Sequence, residues 1–305
     1  LTHSNLYLLD ISGFVHAGAV NKHAYLEQVV DNKGIWSTQI TPGGGLSLVM
    51  NVLATIVGNG DIIACCDRNP IIKKEMIPGY KSNREHKHEI EVSKQFTEYV
   101  LEQCGILCGA CDGYEADDVI YTYWKELHEL YDHIYVYTMD SDMYFLVDEK
   151  TEIMPISSRS KHVTLENFAQ TKIHGCFYPY NTITLDKVMN GDTADCIPPL
   201  PEGVISIARE IFIENKDMYG KFGDKDMMLA FASGYPTITQ QINNVFPLTC
   251  DALSMDITEP NAQMVCNWGD AIKNKIYRGR KSPNFNVENE TAKVQEMGMY
   301  LEMEL

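Results

Sequence analysis

Three short apolar runs in this chain lead into aspartates, and that repetition narrows what it can fold into. LYLLD at 6–10 closes on Asp10, DIIACCD at 61–67 closes on Asp67, and IYVYT at 134–138 runs into Asp140 and Asp142. Each reads as a buried strand. Parallel strands of one sheet put their carboxyl ends on a single edge, which is where open α/β sheets place their ligands. The expectation is therefore an α/β fold with a central, mostly parallel sheet whose edge collects carboxylates.

The stretch from Tyr114 to Leu146 supplies the middle of that edge. YEADD brings Glu115, Asp117 and Asp118, and DSDMYFL brings Asp140 and Asp142. Between them Val119, Ile120, Tyr123, Trp124, Leu127 and Leu130 form the stripe of a helix packed on one face. Taken alone, either motif also fits acids that complement a helix dipole or line a solvated turn. TPGGG at 41–45 breaks the chain before an apolar helix, LSLVMNVLATIVG, and its glycines would let a backbone approach phosphate. TEIMPIS and KHVT read as two short strands, and 164–180 as helix and loop. From about 181 the strand and helix alternation stops. Asp192 and Asp195 stand in a turn after a short helix, where a spacing of three lets them face one way.

Residues 73–94 differ in character, with six Lys and Arg, four Glu, and Tyr80 beside Lys81 and Arg84. Cations next to an exposed aromatic suit phosphates and a stacked base, and a solvated charged helix fits the same composition. A second basic run, Lys273 to Lys281, carries five cations without an acid.

Composition excludes some classes. The 305 residues hold 42 acidic against 25 basic side chains, a net charge of −17, which argues against a non-specific nucleic-acid coat or an anionic membrane surface. Any polyanion would be held by local basic patches. Nine cysteines without repeated CxxC spacing point to reduced thiols rather than disulfides or zinc. No apolar run approaches the roughly 18 residues of a membrane span, and no signal peptide is evident, so a soluble, cytoplasmic protein is expected.

The acids now number nine: Asp10, Asp67, Glu115, Asp117, Asp118, Asp140, Asp142, Asp192 and Asp195. Two unit charges 4 Å apart repel by about 4 kcal/mol at an effective dielectric near 20, so such a cluster calls for cations. Oxygen ligands without histidine or thiolate select Mg²⁺ or Mn²⁺. Two such ions roughly 3.5 to 4 Å apart are a device for cleaving phosphodiesters.

LLD, the strand-closing Asp67, YKSNR, YEADD, DSD and NGDTAD occur in an order that resembles the 5′-nuclease or flap-endonuclease family, most closely its bacteriophage branch, over residues 6 to 208. The resemblance implies a PIN-like α/β nuclease domain over 1–180 with a helical arch at about 73–100, followed by a helical region over 181–305. It implies that Asp10, Asp67, Glu115, Asp117, Asp140 and Asp142 surround a first ion. Asp142 would join Asp192 and Asp195 at a second, with Asp118 close to both. Lys81 and Arg84 would steer the scissile phosphate and Tyr80 would stack on the flanking base. A helix-hairpin-helix that grips duplex phosphates, often with K⁺, normally follows; here PPLPEGVISIA keeps only Gly203 and has Ser206 where lysine is usual. The basic run at 273–281 is a candidate substitute for that grip.

The implied substrates are DNA with 5′ flaps, nicks or ends, or an RNA primer on DNA as an RNA/DNA hybrid. The implied protein is a monomer in the cytoplasm, that of the host cell if it is phage-encoded; separately, the acidic, methionine-rich tail from Gln295 to Leu305 is a candidate dock for a replication partner. Two other readings stand beside this one: a PIN-type single-strand ribonuclease, and a catalytically silent branched-DNA binder.

Overall fold

The computed structural model describes residues 3–20, 25–30, 36–41, 43–84, 88–157, 160–173, 176–177, 183–202, 204–205, 210, 225–253 and 257. The boundary near 180, the basic run at 273–281 and the C-terminal tail lie outside them. So do Gly203 and Ser206, and with them the expected K⁺ position.

Five parallel strands make the central sheet: β1 (His3–Asp10), β4 (Asp61–Cys65), β5 (Leu107–Gly109), β6 (Tyr131–Tyr137) and β7 (Thr151–Met154), in the order β5-β4-β1-β6-β7. From β1 the chain adds strands first on one side and then on the other, so the carboxyl end of β1 lies at the switch point where such sheets open a crevice. Leu9 pairs with Tyr137 on one flank and Asp10 with Cys65 on the other. This register brings the segments that follow β4 and β6 level with Asp10.

Both faces of β1 are covered, which explains why its run is continuously apolar. Leu6 and Leu8 join Val119, Ile120, Tyr123 and Leu127 of helix α5 (Ala116–Leu127). On the other face Tyr7 and Leu9 pack with Phe14 of α1 (Ile11–Val20), Val49 and Leu53 of α2 (Gly43–Ile56), and Val100 and Leu101 of α4 (His88–Gln103). Full burial of one such side chain contributes about 1.5–3 kcal/mol, so the central strand is the firmest support the site could have.

Helix α3 (Ile71–Met76) lies between β4 and α4. Three more helices, α6 (Ile183–Asn190), α7 (Lys225–Phe231) and α8 (Pro236–Leu253), close a separate apolar cluster around Val188, Met189, Met228, Ile238 and Ile242. Among the described residues no helix is long and apolar enough to cross a membrane.

Several local readings are corrected. The glycines at 43–45 open α2 instead of forming a phosphate loop. A Cβ on Gly45 would lie 2.6 Å from the Val15 backbone, and one on Gly18 would lie 2.2 Å from the Gly45 nitrogen, so these glycines let α1 and α2 touch backbone to backbone. KHVT makes only an isolated bridge, Ile153 to Val163. Leu130 falls beyond the end of α5 and faces outward. The sequence reading contained no counterpart to the hairpin of β2 (Tyr25–Val30) and β3 (Trp36–Thr41), or to the small ladder β8 (Lys172–Ile173) with β9 (Cys176–Phe177).

Candidate metal centre

Asp10 is buried at the end of β1 and folds back on the first turn of α1. Its Oδ1 accepts the Gly13 N–H at 2.9 Å and its Oδ2 accepts the Thr138 hydroxyl at 2.7 Å. A Cβ at position 13 would meet Asp10 Oδ2 at 2.4 Å, so glycine is required there. Burial, with Asp67 and Asp140 adding repulsion, pushes the Asp10 carboxyl up to about 6. Thr138 then accepts the Asp140 N–H at 3.0 Å, and Asp140 Oδ1 accepts the Asp142 N–H at 2.8 Å. The turn after β6 is thereby fastened to Asp10. Asp117, in the first turn of α5, is also raised well above the usual range by burial and then by Asp140 and Asp10.

The other acids of this group carry their own cations. Asp67 lies two residues past β4; Lys94 approaches its Oδ2 at 2.6 Å and the Ala116 N–H its Oδ1 at 2.8 Å. Burial acts to raise Asp67, but Lys94 and these bonds outweigh it and hold the carboxyl at about 2. Glu115 meets Lys81 at 2.5 Å, Lys73 at 3.2 Å and the Tyr80 hydroxyl at 2.6 Å. Burial raises it as well, yet the two lysines and the tyrosine bring it below its ordinary value.

Asp118 differs from expectation. It is fully buried, with Oδ1 on Lys73 at 2.9 Å and Oδ2 accepting the Glu115 N–H at 3.0 Å. Both oxygens are engaged in fixing the start of α5.

Asp142, Asp192 and Asp195 form the second group. One oxygen from each lies within 4.8 Å of the others. Lys187 of α6, fully buried, reaches all three at 2.5, 2.8 and 3.3 Å. Asp142 is nevertheless raised to about 7, by burial first and Asp140 next, against the pull of Lys187. For Asp192 burial is outweighed by Lys187 and the N–H groups of Ala194 and Asp195, and its carboxyl is lowered.

The segment carrying Lys81 and Arg84 docks against this second group. Asn83 donates to the Thr193 carbonyl at 3.0 Å, the Cys196 thiol donates to the Gly79 carbonyl at 2.8 Å, and Arg84 lies 3.8 Å from Asp195 Oδ1. Arg84 is the outermost cation, its side chain 54% exposed. Lys81 adopts a left-handed backbone at φ 51°, an unusual state for a non-glycine residue and one that concentrates at functional sites.

Tyr80 corrects the sequence reading most clearly. It is 3% exposed, packed on Ile77, Ile197 and Val245, with the Lys81 and Lys73 ammonium groups 4.9 and 5.8 Å from its ring centre. No face is open to a base, and its hydroxyl is spent on Glu115. Lys73, Lys94, Lys187 and Thr138 were not singled out from the sequence. Among the described residues, nine carboxylates thus stand with five cations, Lys73, Lys81, Arg84, Lys94 and Lys187. The surplus of negative charge remains, and Asp10, Asp117 and Asp140 form no ion pair with a lysine or arginine among the described residues.

Residues 5–173 match the family described as 5′-3′ exonuclease, N-terminal resolvase-like domain. A 5′-3′ exonuclease of Buchnera aphidicola subsp. Schizaphis graminum is 30% identical over 182 residues, 57% of this chain and 58% of that protein. The chain therefore matches little more than half the length of that relative. Among solved structures, a bacteriophage T5 5′-exonuclease with zinc ions bound superposes with a TM-score of 0.58 at 15% identity, covering 96% of this chain and 99% of the other. A bacteriophage T5 flap endonuclease in a pseudo-enzyme-product complex with DNA and metal ions gives a TM-score of 0.55 at 16% identity, covering 97% and 99%. At these identities the structural likeness is one of fold. With more than half of its length inside the family's N-terminal domain, and that domain's sheet edge lined with acids, this chain belongs to the 5′-3′ exonuclease family.

Proposed function

We propose that this chain is a metal-dependent 5′-nuclease of the bacteriophage branch, which hydrolyses phosphodiester bonds near the 5′ ends or flaps of DNA. The observation that carries the reading is the convergence of two carboxylate groups on one sheet edge, the second with three oxygens within 4.8 Å of one another. The donors fit a hard divalent ion such as Mg²⁺ or Mn²⁺, being all oxygen. Asp195 Oδ1, buried and without a hydrogen-bond partner among the described residues, suits the same kind of cation. Asp10, Asp117 and Asp140, flanked by Asp67 and Glu115, would hold one ion; Asp192 and Asp195 would hold the other, with Asp142 facing both. Ions bound there supply Lewis-acid stabilisation of the phosphate and lower the pKa of water.

The chain's own side chains do the rest. Arg84, exposed beside Asp195, is placed to receive a phosphate from solvent. Lys81 sits deeper and would exchange part of its hold on Glu115 for a phosphate oxygen. Tyr80 and Lys73 keep Glu115 oriented. DNA with 5′ flaps, nicks or ends, and RNA primers on DNA, are the substrates this arrangement suits, and the likeness to a flap endonuclease described in complex with DNA supports the first of these.

The test is one assay. The protein is incubated with Mg²⁺ and a 5′-labelled flap, a nicked duplex or single-stranded RNA, and product lengths are read. Cleavage near the flap junction or stepwise from the 5′ end is expected. Cleavage of RNA alone would transfer the assignment to a single-strand ribonuclease, and binding without products to a silent branched-DNA binder.

A further inference from the structure

Helix α4 runs alongside the acidic edge, and two of its side chains one turn apart hold two consecutive residues of the loop after β4. The Lys94 ammonium stands 2.6 Å from Asp67 Oδ2. Glu98 accepts both guanidinium nitrogens of Arg68, at 2.6 and 2.9 Å. A spacing of four places Lys94 and Glu98 on one helix face. The remaining oxygen of Asp67 takes the Ala116 N–H, so this one carboxylate joins the β4 loop, the start of α5 and α4. A small polar crevice lined by Ser12, Asp67, Arg68 and Lys94 opens beside the pair. Both partners keep some access to solvent, 22% for Asp67 and 18% for Lys94.

Lys94 closes the basic stretch 73–94 and lies outside YKSNR and the acidic motifs, yet it neutralises the acid nearest α4 much as Lys187 neutralises the second group. We infer that Lys94 is a positioning residue that acts through Asp67 as a resident counter-ion, so that entry of the first divalent ion competes with the docking of α4. The inference rests on the metal reading above. Without an ion, the ammonium offsets repulsion among Asp67, Asp10 and Asp140. With an ion beside Asp67, the same ammonium repels it and lowers the affinity of the site. The Arg68–Glu98 pair does not touch the Asp67 carboxylate, Arg68 reaching only the Asp67 backbone carbonyl at 2.9 Å, so it keeps one tie to α4 in either state.

The experiment uses the full chain and Mg²⁺ alone, without nucleic acid. Calorimetric titration of Lys94→Gln is expected to give half-saturation at roughly tenfold lower Mg²⁺ than wild type, with a lower Tm in EDTA; Lys94→Arg restores both. Glu98→Gln, which loosens α4 but leaves the Lys94 ammonium on the Asp67 carboxylate, is expected to lower the Tm in EDTA and to tighten Mg²⁺ binding by less than Lys94→Gln does. In the wild type, saturating Mg²⁺ should speed amide hydrogen exchange across residues 90–100, a readout that does not depend on any variant folding. Unchanged or weaker Mg²⁺ binding by Lys94→Gln, or exchange in α4 that ignores Mg²⁺, would overturn the inference while leaving the metal reading intact. A wild-type protein that binds no Mg²⁺ would overturn both.

Discussion

The two carboxylate groups sit side by side but meet their mutual repulsion in different ways. In the second, one buried lysine lies within 3.3 Å of Asp142, Asp192 and Asp195, so its ammonium stands where their oxygens converge, with Arg84 at the rim 3.8 Å from Asp195. In the first, Lys94 takes Asp67, and Lys73 and Lys81 take Glu115, while Asp10 and Asp117 face Asp140 and one another and are raised in pKa, burial being the largest cause. The second group is thus preformed around a surrogate charge. The first has pinned outer acids and inner acids that remain in conflict, so a divalent ion has more repulsion to relieve there.

The largest expected effect comes from the residue that faces both groups. Asp142→Asn should lower cleavage of flap DNA by roughly a thousandfold or more, while binding of the same DNA changes only a few-fold, because phosphate contacts elsewhere supply affinity. Single-turnover rates and a binding titration check it, and near-normal cleavage at saturating metal would break the account. Lys187→Met comes next. Removing one partner of a buried ionic cluster typically costs about 3–5 kcal/mol, so thermal unfolding in EDTA should show a marked loss. Mg²⁺ should then raise the Tm of this variant more than that of wild type.

The comparison also fixes a pH dependence. Asp10 at about 6 and Asp142 at about 7 stand above the usual 3.8, so the folded, metal-free chain holds protons there that the unfolded chain has released. Stability from these groups is fully present at low pH and is lost as pH rises through 6 to 7. Asp67, held at about 2, works the other way, but its contribution is complete above pH 4. In EDTA the Tm should therefore fall between pH 5 and 7.5, and Mg²⁺ should flatten or reverse that trend. The smallest effect is assigned to Tyr80→Phe. Loss of the hydroxyl on Glu115 should cost about 1 kcal/mol, seen as a several-fold lower kcat with KM unchanged. A tyrosine that stacked on a base would tolerate phenylalanine without change.

How legible this was depended on the range of the interaction. Asp10, Asp67 and Asp140 could be read because short apolar strands announce themselves and parallel topology aligns their ends. Glu115 and Asp117 followed from the amphipathic helix they open. The lysines were hidden: Lys187 and Lys94 lie on helices whose sequences look like ordinary half-solvated faces, and only the packing of α6 and α4 against the sheet edge turns them inward. Tyr80 misled for the same reason. Flanked by Gly79 and Lys81 it reads as exposed, but Ile197 and Val245, more than a hundred residues away, cover it. Glycines 43–45 carry no local sign that their partner is another helix backbone rather than a phosphate.

The most direct measurement is anomalous diffraction from crystals soaked in Mn²⁺. Two peaks are expected, one among Asp142, Asp192 and Asp195 with the Lys187 ammonium displaced from its present place, and one bordered by Asp10, Asp117 and Asp140. No manganese at either group, or Lys187 still seated among three ion-free aspartates at saturating Mn²⁺, would contradict the account.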